Sequence, residues 1–296
     1  MSTPINNNPV FSPPLYIRKG RKNEKTTFSK MPVYFADFAI LSAHVYRETF
    51  FNKPVTEAGK DTTATIPVTP PSGWLKWETS ELLPIPAVEW RMQKFIEGMG
   101  YEIWDKTEGE KVTVAIVFRG TDFKEWGDWS SNLRWFKLNL LRRRIYESFY
   151  WDQYHQTKKL TPLLVEAIKE KHKTKSIKII TTGHSLGGGL AQLASYCCND
   201  IKEVIAFDPS PVTGFYDVAK EQRDVNQKDT IIARVYQVGE VLSYLRYLLR
   251  FFYLLTEKDP EITEYGANFF KGDLIARHSI DKLAEKLSEL LKNTKR

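Results

Sequence analysis

The residues from Ser176 to Asn199 constrain the fold more than any other stretch of the chain. Ile177-Lys178-Ile179-Ile180-Thr181-Thr182 is a β-branched run and reads as a buried strand. Gly183-His184-Ser185-Leu186-Gly187 follows, a G-x-S-x-G pattern, and Leu190, Leu193, Ala194 and Cys197 then recur at helical spacing. Strand, sharp glycine turn and helix form the setting of a nucleophile elbow, in which a serine hydroxyl projects from a strained turn. Side chains two positions either side of the serine would strike the neighbouring strand and helix, so Gly183 and Gly187 are expected on steric grounds. The helix start would aim its N–H groups and positive dipole end at an oxyanion beside Ser185. The plainer alternative is a glycine-rich turn with a surface serine.

The 296 residues, 42% of them hydrophobic, suit one large α/β domain with a full core. Residues 1–29 are polar, proline-bearing and basic and read as a loose N-terminal arm; residues 30–296 read as a single domain. The first residues lack an apolar h-region, so a secretory leader is not expected, and no charge-free apolar run has membrane-spanning length. Cytoplasmic residence is the default expectation, and leaderless export would leave the same pattern. Cys197 and Cys198 are adjacent, which disfavours a relaxed disulfide and points to reduced, structural cysteines. There is no CxxC or Cys/His metal spacing, and neither metal nor organic cofactor is expected. A net charge of +7 suits an anionic surface. No nucleic-acid module is found, and with 13% aromatic residues an anionic membrane fits better than nucleic acid, though charge alone suits a merely basic protein equally well.

Phe35, Phe38, Ala39, Leu41, Ser42 and Val45 give a helical pattern within Pro32–Phe51, with His44 as a packed or surface residue. Tyr101 to Phe118 reads as a β-hairpin turning near Glu108-Gly109. Its second strand, Val112–Phe118, is apolar on both faces and belongs in the middle of a covered sheet. It runs into Arg119-Gly120-Thr121-Asp122, the place of an oxyanion donor; Thr121 offers an N–H and a hydroxyl, and the Leu186 N–H is its partner donor. Thr161-Pro162 is expected to open or interrupt a helix.

An elbow of this kind takes its partners in the order serine, acid, histidine. Of His44, His155, His172, His184 and His278, only His278 lies well downstream of Ser185. His184, inside the motif, is expected to point away from the site. Ser279 is placed to cap a helix carrying Ile280, Leu283, Leu287, Leu290 and Leu291. Two acids compete. Asp208 follows the strand Glu203–Phe207, and Glu240 follows the strand Ile231–Gln237. The fold usually draws its acid from the second strand after the nucleophile strand, which favours Glu240 and leaves Asp208 in reserve.

Phe118-Arg119-Gly120-Thr121, Asp128-Trp129-Ser130-Ser131-Asn132-Leu133, Ile145-Tyr146-Glu147-Ser148-Phe149-Tyr150 and Gly183-His184-Ser185-Leu186-Gly187-Gly188 occur in the order of the landmarks of class 3 (fungal-type) lipases. The chain resembles that family from about Val112 to His278. Tyr146 and Ser148 replace the family's usual His and Gly, and Val238-Gly239-Glu240-Val241 stands where its acid segment does. The resemblance implies an α/β-hydrolase fold, a central mostly parallel sheet flanked by helices. It implies a serine carboxyl-ester hydrolase acting on lipids through an acyl-enzyme, with a lid between Thr121 and Tyr150, where Trp126, Trp129, Trp135 and Phe136 precede Arg142-Arg143-Arg144. Neutral glycerides and phospholipids both fit. The apolar run Leu242–Leu255 reads by default as a buried helix with a thin wet edge, and otherwise as acyl-pocket walls or a membrane-facing surface. A non-catalytic lipid- or partner-binding module and a short-chain esterase are the competing readings. An exported toxin would share the same sequence features as a housekeeping enzyme.

Overall fold

Along β5 (Lys111–Phe118), Val112, Val114, Ile116 and Phe118 enter one hydrophobic core, and Ala115 and Val117 enter another. A strand apolar on both faces needs a layer on each side, and it has one. The structure is a computed structural model that describes residues 15–19, 22–26, 30–46, 69–83, 99–120, 153–243, 261–274 and 276–293. Among these residues nine strands form one sheet in the order β2-β1-β9-β8-β7-β6-β5-β4-β3. The strands are β1 (Leu15–Lys19), β2 (Lys22–Thr26), β3 (Leu75–Lys76), β4 (Tyr101–Glu108), β5, β6 (Ser176–His184), β7 (Ile201–Phe207), β8 (Ile231–Gln237) and β9 (Glu261–Ala267). β5 through β9 pair in parallel, and antiparallel strands close both ends. This is the α/β-hydrolase arrangement that the sequence implies.

Helices α1 (Phe35–His44) and α5 (Ile280–Asn293) cover one face; α2 (Gln153–Lys171) and α3 (Leu186–Cys197) cover the other, with α4 (Lys220–Asn226) against α3. On α5, Ile280, Leu283, Leu287, Leu290 and Leu291 are buried against the α1 side of the core. Burying each such side chain contributes about 1.5–3 kcal/mol. The expected cap is present: Ser279 Oγ accepts the Lys282 N–H at 3.4 Å. The Tyr101–Phe118 hairpin is also present, turning through Gly109 at φ +62°.

Three expectations are revised or fall outside the description. Leu15–Lys19 and Lys22–Thr26, read from composition as part of a loose tail or an arm lying on the domain, lie on it as strands, β1 and β2; β1 pairs antiparallel with β9 from Leu15↔Ala267 to Lys19↔Thr263. Edge strands are held by backbone hydrogen bonds, to which composition is nearly blind. Pro162 neither opens nor interrupts α2, which begins at Gln153 and runs through it. Hydroxyls supply local bonds instead: Thr157 Oγ1 donates to Gln153 O and Thr161 Oγ1 to Thr157 O, at 2.8 and 2.7 Å. Thr121, the lid segment and residues 244–255 lie outside the described residues. Cys197 and Cys198 are free, and burial pushes the Cys197 thiol up to about 12, as suits an inert packing residue. No described helix is long and apolar enough to cross a membrane.

Candidate active site

β6 delivers Ser185 to the carboxyl edge of the sheet, and α3 starts one residue later. Ser185 has φ +57° and ψ −123°, a conformation that L residues rarely adopt and that costs about 1–3 kcal/mol. Backbone bonds hold it there. Its N–H donates to Phe207 O at 3.0 Å, and its carbonyl accepts the N–H groups of Gly188, Gly189 and Ser210 at 3.1, 3.3 and 2.8 Å. The flanking glycines are needed for space. A Cβ on Gly187 would run into Phe118 O, and one on Gly183 would stand 2.5 Å from Gly187 C and 2.6 Å from Phe118 O. Leu186 is the first residue of α3, so its N–H has no acceptor within the helix.

His278 ends a short 3-10 turn, Ala276–His278, just before α5. Its Nδ1 lies 2.7 Å from Glu240 Oε2, and both side chains are 0% exposed. Glu240 follows the positive-φ Gly239 at the end of β8. Its carboxylate also accepts the Leu242 N–H at 2.7 Å and the Ser243 hydroxyl at 3.1 Å. These bonds compensate for withdrawing a charge from water. Arg277 ties the two loops together: its Nε donates to Gly272 O at 2.8 Å and its Nη1 reaches Val238 O at 3.5 Å.

The histidine ring comes to the elbow by way of His184. The His184 and His278 ring centroids are 4.6 Å apart at 46°, and His184 directly precedes Ser185. The expectation that His184 points away from the site is therefore wrong. Its Nδ1 lies 3.1 Å from Tyr46 Oη, and Tyr46 Oη accepts the Gly120 N–H at 3.1 Å. Neither His184 nor Tyr46 was singled out for the site from sequence. Tyr46 stands 138 positions from His184, and nothing local marks that pairing.

Asp208, the reserve acid, is buried directly after β7 at φ +39°; its Oδ1 accepts the Gln237 N–H at 2.9 Å. Ligand-type atoms of His184, Asp208 and His278 lie within 4.8 Å of one another. Glu240, Asp208, Ser185, Leu186 and His278 thus gather at one end of the sheet, whose strands β6, β7 and β8 follow in spatial order. His44, read as a packed or surface residue, is partly buried, with its Nδ1 3.2 Å from Glu102 Oε2.

No curated protein matches the chain. Among solved structures, the Lip2 lipase from Yarrowia lipolytica aligns at 16% identity over 72% of this chain and 73% of that one, with a TM-score of 0.40. The lipase from Rhizopus microsporus var. chinensis aligns at 12% identity over 71% and 67%, with a TM-score of 0.39. An esterase from Pyrobaculum calidifontis aligns at 9% identity over 92% and 95%, with a TM-score of 0.37. These likenesses are too distant to speak to the reaction. The model of one family, a phospholipase-like group described as the Tle-like phospholipase domain, matches residues 37–246. That span covers most of the chain and includes the elbow and Glu240, so the chain belongs to the Tle-like phospholipase domain family.

Proposed function

We propose that the protein is a serine hydrolase of lipid carboxyl esters, with phospholipid the favoured substrate. The buried Glu240–His278 contact, with the His278 ring packed on the residue that precedes the positive-φ Ser185, carries this reading. Ser185 Oγ attacks the ester carbonyl as His278 Nε2 takes its proton. Glu240 holds Nδ1–H and balances the imidazolium. The Leu186 N–H, with Thr121 from the loop after β5, stabilises the tetrahedral oxyanion. Collapse breaks the ester C–O bond, and the leaving alcohol takes the proton from His278. Water, activated by the same histidine, then frees the fatty acid and restores Ser185. The family's description and the net charge of +7 support phospholipid at an anionic surface over neutral glyceride.

The test is hydrolysis of short and long p-nitrophenyl esters, triglyceride emulsion and anionic phospholipid vesicles by wild type and Ser185→Ala, with fluorophosphonate labelling alongside. Vesicle hydrolysis and labelling that both vanish in Ser185→Ala are expected. Activity limited to short soluble esters would replace this reading with a short-chain esterase. Absence of labelling in the wild type would leave a binding module.

A further inference from the structure

Two pieces of backbone that must stay in register meet at Tyr46. Gly120 directly precedes Thr121, and His184 directly precedes Ser185. Tyr46 lies just past the end of α1, and its Oη sits between the two pieces. It accepts the Gly120 N–H at 3.1 Å, lies 3.1 Å from His184 Nδ1 and lies 3.3 Å from His184 O. A Cβ on Gly120 would run into this phenolic oxygen and stand 2.6 Å from His184 O. A single oxygen atom therefore spaces the loop after β5 from the elbow. The two rings also meet edge-on, with centroids 5.9 Å apart at 69°.

We propose that Tyr46 is a positioning residue: it sets the gap between the oxyanion loop and Ser185, and it holds His184 in the Nε2–H tautomer against His278. The proposal rests on the hydrolase reading above and adds a residue to it. The phenol has one proton to give. With its lone pairs turned to the Gly120 N–H, that proton goes to the nearer acceptor, His184 Nδ1, and the ring proton of His184 resides on Nε2. Were Nδ1 protonated, it would donate to Oη, and the phenol would turn to the more distant His184 carbonyl. Donation to Nδ1 favours the neutral ring. A neutral ring 4.6 Å from His278 does not oppose the positive charge that His278 acquires when it takes the serine proton.

Tyr46→Phe keeps the packing and deletes only the oxygen. Ser42→Ala is the matched control: Ser42, one turn earlier on α1, also bonds to β6, through Thr182 Oγ1 at 3.1 Å, away from the site. In Tyr46→Phe, kcat on a p-nitrophenyl ester is expected to fall about 10- to 100-fold, up to the loss from deleting a direct oxyanion donor, with KM within about threefold. Ser42→Ala should hold kcat. Nitrogen-15 NMR of histidine-labelled protein should show His184 protonated at Nε2 in the wild type and in Ser42→Ala, and altered in Tyr46→Phe. Full kcat in Tyr46→Phe, or an equal fall in Ser42→Ala, would overturn the proposal. So would a wild-type His184 protonated at Nδ1, which needs no variant to fold. An inactive wild type would sink the hydrolase reading and leave the histidine spectrum to decide on Tyr46.

Discussion

Replacing Glu240 with Gln removes a charge and almost nothing else. Oε2 receives both His278 Nδ1 and the Leu242 N–H, and Oε1 receives the Ser243 hydroxyl. A glutamine oxygen at the Oε2 position keeps the first two bonds. Its NH2 then faces Ser243 Oγ, a hydroxyl that can rotate to accept. The tautomer of His278 is preserved, so the loss is confined to the attraction between carboxylate and the imidazolium formed in the transition state. At an effective dielectric near 20 and a charge separation of about 4 Å, that attraction is about 4 kcal/mol. The corresponding fall in kcat is about 10³-fold. Steady-state hydrolysis of a p-nitrophenyl ester should show that fall with KM changed less than threefold, and thermal unfolding should show an intact fold. Glu240→Ala, which strips the acceptor from three donors, should instead destabilise by about 3–5 kcal/mol. Asp208→Asn should keep the Gln237 N–H bond and stay within about tenfold of wild-type turnover. If Glu240→Gln turns over within tenfold of wild type, or Asp208→Asn falls further than Glu240→Gln, the assignment of the acid is wrong.

Other substitutions test the frame around the site. Ser185→Gly should abolish hydrolysis yet stabilise the fold by about 1 kcal/mol, because glycine accepts φ +57° without strain; Tm no higher than that of Ser185→Ala would contradict the strain argument. Gly187→Ala drives a methyl onto the Phe118 carbonyl and should cost about 3 kcal/mol or more, read as a lowered urea midpoint; an unchanged midpoint would contradict the packing described at the elbow. Glu102 is a pH probe. Burial raises its carboxyl, but His44, Lys76 and Trp104 outweigh that and hold it below its ordinary 4.5. Its stabilising contribution is present above pH 4.5 and lost as pH falls through the depressed value, so Glu102→Gln should flatten the acid limb of stability against pH. Identical acid limbs in urea titrations from pH 3 to 6 would remove that role.

The Glu240–His278 pairing was legible because the sheet is read in sequence order. β6, β7 and β8 lie side by side, so counting strands from Ser185 leads to Glu240, and the one histidine beyond it in the sequence is the one Glu240 contacts. The elbow was legible because its steric demand falls on residues two apart from the serine. His184 was misjudged because its orientation is settled by Tyr46 and His278, each far away in sequence. β1 and β2 were missed because an edge hairpin is bound through its main chain. Pro162 misled because a broken helical bond is normally a stop, and here threonine hydroxyls occupy neighbouring carbonyls.

The pairing of β1 with β9 sets a condition on how this chain matures. Leu15 meets Ala267, a partner about 250 residues later, so the first of the described strands to be synthesised has no seat until the last of them has left the ribosome. β9 connects the acid loop to the histidine loop, and its outer edge stays open to any other strand until β1 arrives. Glu240 and His278, which flank β9 in sequence, therefore border a sheet edge that is closed late. A nascent chain halted before β9 would carry Ser185 and Glu240 but not His278.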